Sequence, residues 1–225
     1  TDDEIKILAD AIVKDKSLGI DKIWPSRFLI GLMDLDAASS YVNSSLIVDR
    51  VRMIKDEEEK ELMRRASKLN DMAMERLKEE VAKGYSEKEL SDVLRGIYKE
   101  IGADGFSFSP IIAFGANGAN PHHSNTDKVA QIGDSIILDI GCVKDSYCSD
   151  MTRTVFLKET SEKSKEVFDI VLEANKRAIN EVKPGARFCD IDKAARDYIE
   201  SKGYGEYFTH RTGHSIGIEV HDHGD

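Results

Sequence analysis

The sequence is poor in residues that several classes of protein need. Cysteine occurs only three times, as Cys142, Cys148 and Cys189, and no two of them form a CxxC pair. Their odd number and their spacing argue against a disulfide framework or a structural zinc site, so we interpret them as small buried side chains. Positive charge is also scarce, because 32 Lys and Arg stand against 42 Asp and Glu for a net charge of −10. We expect no nucleic-acid partner, since no excess of basic side chains is available to neutralise phosphates.

Long apolar runs are missing as well. No segment approaches the roughly 20 apolar residues that span a bilayer. The opening "TDDEIKILADAIVKDK" lacks the basic and apolar regions of a signal peptide. We therefore expect no membrane partner and a cytoplasmic location. The remaining composition, 40% hydrophobic and 33% charged, is that of an ordinary soluble protein.

The first clear pattern is a pair of helices. Apolar residues at three- and four-residue steps predict a long amphipathic helix over Asp56–Lys83, and Gly84 ends it. Ser86 and Glu89 then form a capping box that opens a second helix to about Ile101.

The rest of the chain repeats this order. The segments "SIILDIG" and "MTRTVFL" are predicted strands, and two further helices are predicted at about Ser161–Val182 and Asp190–Lys202. The sequence of elements is helix, helix, strand, strand, and then helix, helix, strand. It predicts an α+β fold built from a duplicated unit, whose second copy is incomplete.

The segment "HRTGHSIGIEVHD", residues 210–222, holds three of the six histidines. His210 and His214 would share one face of a zinc-protease helix, but Arg211 stands where such a helix needs Glu. Glycines and β-branched residues also disfavour a helix, so we predict a turn and then a strand. In a straight strand His214 and His221 would lie ~20 Å apart on opposite faces. They could meet only if the chain bends, for which Gly217 offers a hinge.

Two aspartates interrupt the predicted strands. If the hairpin turns at Lys144 and Asp145, then Asp139 lies directly opposite Asp150. Like charges in such a pair destabilise a sheet, and the more so beside apolar neighbours. A positive group should therefore sit between them. The residues leave two possibilities open, which are the guanidinium of Arg153 and a divalent metal that His214 also ligates.

At this point the sequence resembles a known family. "GANGANPHHSNTD", "GDSIILDIG", "CSDMTRTVF" and "HRTGHSIGIEVHD" are similar, in this order, to motifs of the pita-bread metallopeptidases, in the Xaa-Pro dipeptidase (prolidase) and aminopeptidase P branch. The resemblance runs from about Val51 to the end. It implies a pita-bread fold, a homodimer, and hydrolysis of Xaa-Pro bonds in short proline-containing peptides. It also implies two divalent metal ions, with manganese expected and cobalt or zinc as alternatives, bridged by a water or hydroxide that attacks the scissile carbonyl.

The resemblance also implies roles for single residues. The metal ligands are Asp139, Asp150 as the bridging carboxylate, and His214. The catalytic residues are three histidines, His122, His210 and His221. We favour His122 over its neighbour His123 from the distance to Gly133, and we interpret His123 and His223 as ordinary polar residues. His210 favours the Xaa-Pro branch over methionine aminopeptidases.

This chain departs from the family pattern at both ends. Two further glutamate ligands, which the family carries after its GHxxG motif, are not found before Asp225, and most of the N-terminal domain is missing. We therefore expect residues 1–54 to be a remnant of that domain plus a linker, and 55–225 to be a catalytic domain that is inactive alone. Two alternatives stay open. One is a non-catalytic pita-bread module that binds peptides or proteins, and the other is a methionine aminopeptidase or creatinase-like enzyme. The choice between dipeptidase and aminopeptidase also stays open.

Overall fold

The computed structural model describes residues 3–224. The chain divides into two compact units, one of the described residues up to Ile54 and one over Lys55–His223. Within residues 3–224, none of the helices is both long and apolar enough to cross a membrane.

The first unit is small and mixed. Its elements are helix α1 (Glu4–Asp10), strand β1 (Ser17–Ile20), helix α2 (Ser26–Asp34), strand β2 (Ser40–Asn43) and helix α3 (Ser45–Met53). The two strands pair in parallel, with Ser17 opposite Ser40. That this unit is the remnant of a larger domain stays a prediction.

The second unit begins with the predicted helix pair. Helix α4 (Glu57–Glu80) carries a capping box between Asp56 and Glu59, and a 3₁₀ turn carries it on to Gly84 at φ 84°. Helix α5 (Glu87–Ile101) opens with the predicted capping box of Ser86 and ends at Gly102. Both helix predictions are confirmed, because caps and apolar spacing act locally and do not depend on the rest of the fold.

Six short strands follow and form two antiparallel sheets. They are β3 (Gly105–Phe106), β4 (Ile111–Phe114), β5 (Ser135–Ile140), β6 (Cys142–Lys144), β7 (Tyr147–Cys148) and β8 (Met151–Phe156). The sheet orders are β3-β6-β7 and β4-β5-β8. Apolar side chains of α4, α5 and β5 form the main core, and these include Leu77, Leu94 and Leu138.

The chain then forms a second helix pair. Helix α6 (Glu162–Glu181) is capped by Ser161, and α7 (Phe188–Ser201) begins two residues before the predicted start. The two helices share a smaller core around Ile170, Ala195 and Ile199. The duplicated helix pair is therefore present. The strand predicted after it is wrong for the described residues, since 208–224 contain no strand.

The hairpin register also differs from the prediction. Asp139 pairs with Thr152, not with Asp150, and Ile140 pairs with Met151. The turn lies at Asp145 and Ser146, which have φ of 50° and 70°. Two consecutive residues with positive φ match the right-handed twist of a tight hairpin, so the turn forms one residue later than predicted. This shift places Asp150 just outside β8.

Candidate metal and substrate site

Asp139 lies on the central strand of the β4-β5-β8 sheet. The side chains of Ile136, Leu138 and Ile140 are buried on one face of β5, and Asp139 points to the other face. Its carboxylate accepts a hydrogen bond of 2.7 Å from the Thr152 hydroxyl. Burial raises the pKa of Asp139 and the Asp150 charge adds to this, although the Thr152 hydrogen bond and His214 act against it. A positive charge placed here would relieve that cost.

Asp150 and His214 meet directly. The Nε2 atom of His214 lies 3.2 Å from Oδ2 of Asp150, and Nδ1 lies 3.0 Å from the carbonyl oxygen of Ser215. A carbonyl can only accept, so Nδ1 must be the donor in that contact. This hydrogen bond fixes the ring and leaves Nε2 as the atom that faces Asp150, which is the orientation that a metal-ligating imidazole needs.

The alternative in which the Arg153 guanidinium sits between the two aspartates does not agree with the structure. Arg153 lies opposite Leu138 on β8, and its guanidinium donates to the backbone carbonyl of Thr152 at 2.8 Å. The interpretation that Arg153 sits between Asp139 and Asp150 is therefore wrong. It depended on the direct pairing of the two aspartates, which the register rules out.

The chain bends after His214. The Asp222 amide donates to Ser215 at 3.0 Å, and the Gly217 amide donates to Glu219 at 3.0 Å. The bend brings the His214 and His221 rings to 4.2 Å between centroids, edge to face. A Cβ atom at Gly217 would lie 2.2 Å from an Asp222 carboxylate oxygen, so this turn requires glycine. The predicted hinge is confirmed.

His122 and His210 form a second pair. Their ring centroids are 6.0 Å apart at 65°, and both side chains are exposed. The structure thus arranges the three predicted catalytic histidines and His214 as two pairs, and the His122–His210 pair joins distant parts of the chain.

His123 has a different environment. Its Nε2 atom is 2.8 Å from a carboxylate oxygen of Glu87, and the two side chains are 10% and 0% exposed. His123 is therefore a satisfied interior residue, as we expected from the sequence. Glu87 was missed, although a carboxylate in the first turn of a helix, beside the apolar Leu90, was a visible signal.

The hydrogen bonds to Glu87 make its contribution to stability depend on pH. Burial disfavours the charged form, but the hydrogen bonds from His123, Thr126, Phe114 and Asn117 lower the pKa of Glu87 from 4.5 to about 2. Because the pKa is lower in the folded state, this stabilisation is complete above about pH 4.5 and is lost as the pH falls towards 2. The shift corresponds to roughly 3 kcal/mol.

We therefore expect Glu87→Gln to lower the free energy of unfolding more near pH ~7 than near pH ~2.5. Urea unfolding at both pH values measures the difference. An equal loss at the two pH values would contradict the assignment of the low pKa to Glu87.

A second carboxylate holds the segment before His214. Asp192 on α7 accepts from the Thr212 amide and hydroxyl at 2.9 Å each, and from Arg196 at 2.8 Å. The Arg196 hydrogen bond is the main reason why the pKa of Asp192 falls to about 2. Arg196 also donates to the carbonyl oxygens of Phe208 and His210, at 2.8 and 3.1 Å. The Asp192–Arg196 pair thus supplies the hydrogen bonds that the segment before His214 would have made in a sheet if it were a strand.

An ion pair also holds the end of the segment that carries His210, His214 and His221. Lys55 Nζ lies 3.5 Å from Asp222, and the two side chains are 13% and 1% exposed. The Cys148 amide also donates to Gly217 at 2.8 Å, which attaches the segment to β7. The histidines at 210, 214 and 221 are therefore placed by side-chain and loop contacts.

The donor set fits part of a metal centre. Asp139, Asp150 and His214 offer carboxylate oxygens and one imidazole nitrogen, which suit a hard or borderline divalent ion. Over residues 3–224, no group of three or more His, Cys, Asp or Glu side chains is already arranged to hold a metal ion. The chemistry of the three donors therefore fits a metal, although only His214 and Asp150 are in direct contact, while Asp139 is hydrogen-bonded to Thr152.

Carboxylates beside an imidazole are the ligand types with which metal-dependent enzymes hold divalent ions. Residues 61–225 match the model of metallopeptidase family M24. The chain is also 36% identical over 207 residues to the Xaa-Pro dipeptidase of Pyrococcus horikoshii, which covers 92% of this chain and 59% of that relative. The chain belongs to metallopeptidase family M24.

Solved structures show the same relationship. The chain is similar to the prolidase from Pyrococcus horikoshii, with a TM-score of 0.93 and 34% identity over 98% of this chain and 64% of that one. It is also similar to the X-Pro aminopeptidase from Thermotoga maritima, with a TM-score of 0.89 and 34% identity over 99% of this chain and 64% of that one. The pita-bread fold is thereby confirmed. The chain spans less than two thirds of the length of each of these relatives.

Proposed function

We propose that the whole protein hydrolyses the Xaa-Pro bond of dipeptides or short peptides with the help of two divalent metal ions. The observation that carries the proposal is the contact between His214 Nε2 and Asp150 at 3.2 Å, in a chain of family M24. Asp139 completes a set of three donors, two of which are carboxylates. The names of the similar proteins support Xaa-Pro substrates.

The proposed roles divide between two groups of residues. Asp139, Asp150 and His214 would hold the metal ions, with Asp150 shared between them. When bound, two such ions would supply Lewis acidity and an activated water, so that no protein nucleophile is needed. Manganese fits this carboxylate-rich set best, with cobalt or zinc as alternatives.

The other histidines would act on the substrate. His122 and His210 are exposed and their rings are 6.0 Å apart, so the His122 ring and Nε2 of His210 would bind a peptide carbonyl or carboxylate, while Nδ1 of His210 contacts the Arg211 carbonyl at 3.2 Å. His221 lies against the His214 ring. There it can donate a hydrogen bond to the oxygen of the scissile carbonyl, which gains negative charge during hydrolysis. The chain's own groups thus orient the peptide and stabilise charge on either side of the donor set.

Turnover of Xaa-Pro against Xaa-Ala dipeptides, before and after chelation, tests this function in the whole protein. We expect faster turnover of the proline substrate, a fall in rate in chelator, and recovery when Mn²⁺ is added. Equal turnover of the two dipeptides, or full activity in chelator, would contradict the proposal. Adding an Xaa-Pro-Xaa tripeptide separates dipeptidase from aminopeptidase activity.

Metal binding by the 225 residues alone is a separate expectation. Three donors cannot neutralise the four positive charges of two divalent ions, so we expect weak binding and no turnover. Calorimetric titration with Mn²⁺ measures the binding. Tight binding of two ions per chain would show that the three ligands are wrongly assigned or incomplete in number.

A homodimer and a cytoplasmic location also belong to this proposal. The dimer is supported by the resemblance to the family, and the location by the composition of the sequence. Light scattering of the whole protein after size-exclusion chromatography tests the dimer.

A further inference from the structure

Glu87 is a fully buried carboxylate that the proposed chemistry does not use. It lies in the first turn of α5, and its side chain is 0% exposed. Burial of a charge is costly unless the charge is fully hydrogen-bonded. The partners of Glu87 therefore indicate what the burial stabilises.

The partners lie in one stretch of chain. One carboxylate oxygen accepts from the Phe114 amide at 2.9 Å and the Asn117 side chain at 2.7 Å. The other accepts from His123 at 2.8 Å and from the Thr126 amide and hydroxyl at 2.8 and 2.7 Å. Phe114 is the last residue of β4, and the other partners belong to the loop that carries His122. A single carboxylate thus ties both ends of this loop to α5.

We infer that Glu87 is a positioning residue that sets the direction of His122. This inference rests on the proposed function of His122. His123 is held inward by Glu87, and its side chain is 10% exposed. The adjacent His122 is exposed and turned outward, with its ring centroid 6.0 Å from that of His210. The Asn120 side chain, which accepts from the His122 amide at 3.0 Å, fixes the backbone between the two anchored ends.

The arrangement requires a carboxylate. Both oxygens accept at least two hydrogen bonds, and a glutamine of the same shape has only one oxygen acceptor. In Glu87→Gln, the amide NH₂ would face either the Phe114 and Asn117 donors or the Thr126 amide. The loop must shift in both cases, although the volume of the side chain is unchanged.

A double-mutant cycle in the whole protein tests the inference. We expect Glu87→Gln to lower kcat for an Xaa-Pro dipeptide at least ~10-fold, with a smaller change in KM. In the His122→Ala background the same substitution should lower kcat less than ~2-fold, because the group that it positions is already gone. A general loss of folded protein would give the same factor in both backgrounds.

Tyr98→Phe is the matched control. Tyr98 is 2% exposed on the same helix, and its hydroxyl donates to Asn70 at 2.6 Å, so this variant also loses a buried hydrogen bond. We expect its kcat to stay within ~2-fold of the wild type while its melting temperature falls. Thr126→Val, which removes one donor at an exposed residue, gives a second test if Glu87→Gln does not fold. It should lower kcat by a smaller factor that again disappears beside His122→Ala.

The outcomes distinguish a failure of the positioning role of Glu87 from a failure of the proposed role of His122. Suppose that His122→Ala lowers kcat strongly, but Glu87→Gln, or Thr126→Val in its place, lowers kcat by the same factor with and without His122. The positioning role of Glu87 is then overturned, and the proposed function stands. A loss of kcat in Tyr98→Phe as large as in Glu87→Gln would also overturn it. If His122→Ala retains full activity, the assignment of His122 fails and the role of Glu87 fails with it.

Discussion

Asp150→Asn in the whole protein should lower kcat/KM for an Xaa-Pro dipeptide by at least roughly 30- to 150-fold. This corresponds to a loss of ~2–3 kcal/mol of transition-state stabilisation. The substitution keeps the size of the side chain and replaces one carboxylate oxygen with an NH₂ group, which cannot ligate a cation. Asp150 is the proposed shared ligand, so both metal positions should weaken. The His214 ring, 3.2 Å away, would lose its anionic partner as well.

Asp145→Asn is the control for this variant. Asp145 is an exposed residue in the turn of the same hairpin, with φ at 50°, a conformation that asparagine adopts readily. It removes the same charge from the same region and should leave kcat/KM near the wild-type value. Wild-type activity and Mn²⁺ binding in Asp150→Asn would show that Asp150 is not a ligand.

His122→Ala and His123→Ala should have opposite effects on activity and stability. His122 is exposed and faces His210, so its loss should lower kcat ~100-fold and change the melting temperature little. His123 is 10% exposed and donates to Glu87, so its loss should destabilise the fold by ~1–3 kcal/mol. His123→Ala should lower kcat less than His122→Ala does, because His123 affects the substrate only through the loop that carries His122.

Activity measured at a temperature where both variants are folded, together with urea unfolding of each, checks this pair. The wild type and Tyr98→Phe serve as references for activity and for loss of a buried hydrogen bond. If His123→Ala were the more damaging to kcat, the two adjacent histidines would have to exchange roles.

The helices could be predicted from the sequence because their signals are local. Ser86 caps the helix that it was expected to cap, Ser161 caps a helix that was predicted to begin there, and Gly84 ends the first helix in the left-handed conformation. The metal-ligand set came from ordered motifs. The structure places His214 against Asp150, and the bend at Gly217 places His221 against His214. The assignment of those residues stays a prediction.

The errors arise where tertiary contacts decide the backbone. The hairpin register depends on which two residues take positive φ, and the sequence "KDSY" allowed a turn one residue earlier. The β-branched residues after His214 favoured a strand, but Cys148, Arg196 and Lys55 hold this segment as a loop. Glu87 was missed because helix position alone does not tell which loop packs over a first-turn carboxylate.

Four histidines, of which His210, His214 and His221 have proposed roles, lie on residues 208–224, a segment that contains no helix or strand and is held mainly by a few polar contacts. Such a segment can open at a lower free energy than the helices and sheets beneath it, since only those contacts must break. Loss of activity on heating or in denaturant would then precede loss of the helical signal. The inactivation midpoint would report the opening of this segment, and a higher melting temperature of the core would not by itself prolong catalysis.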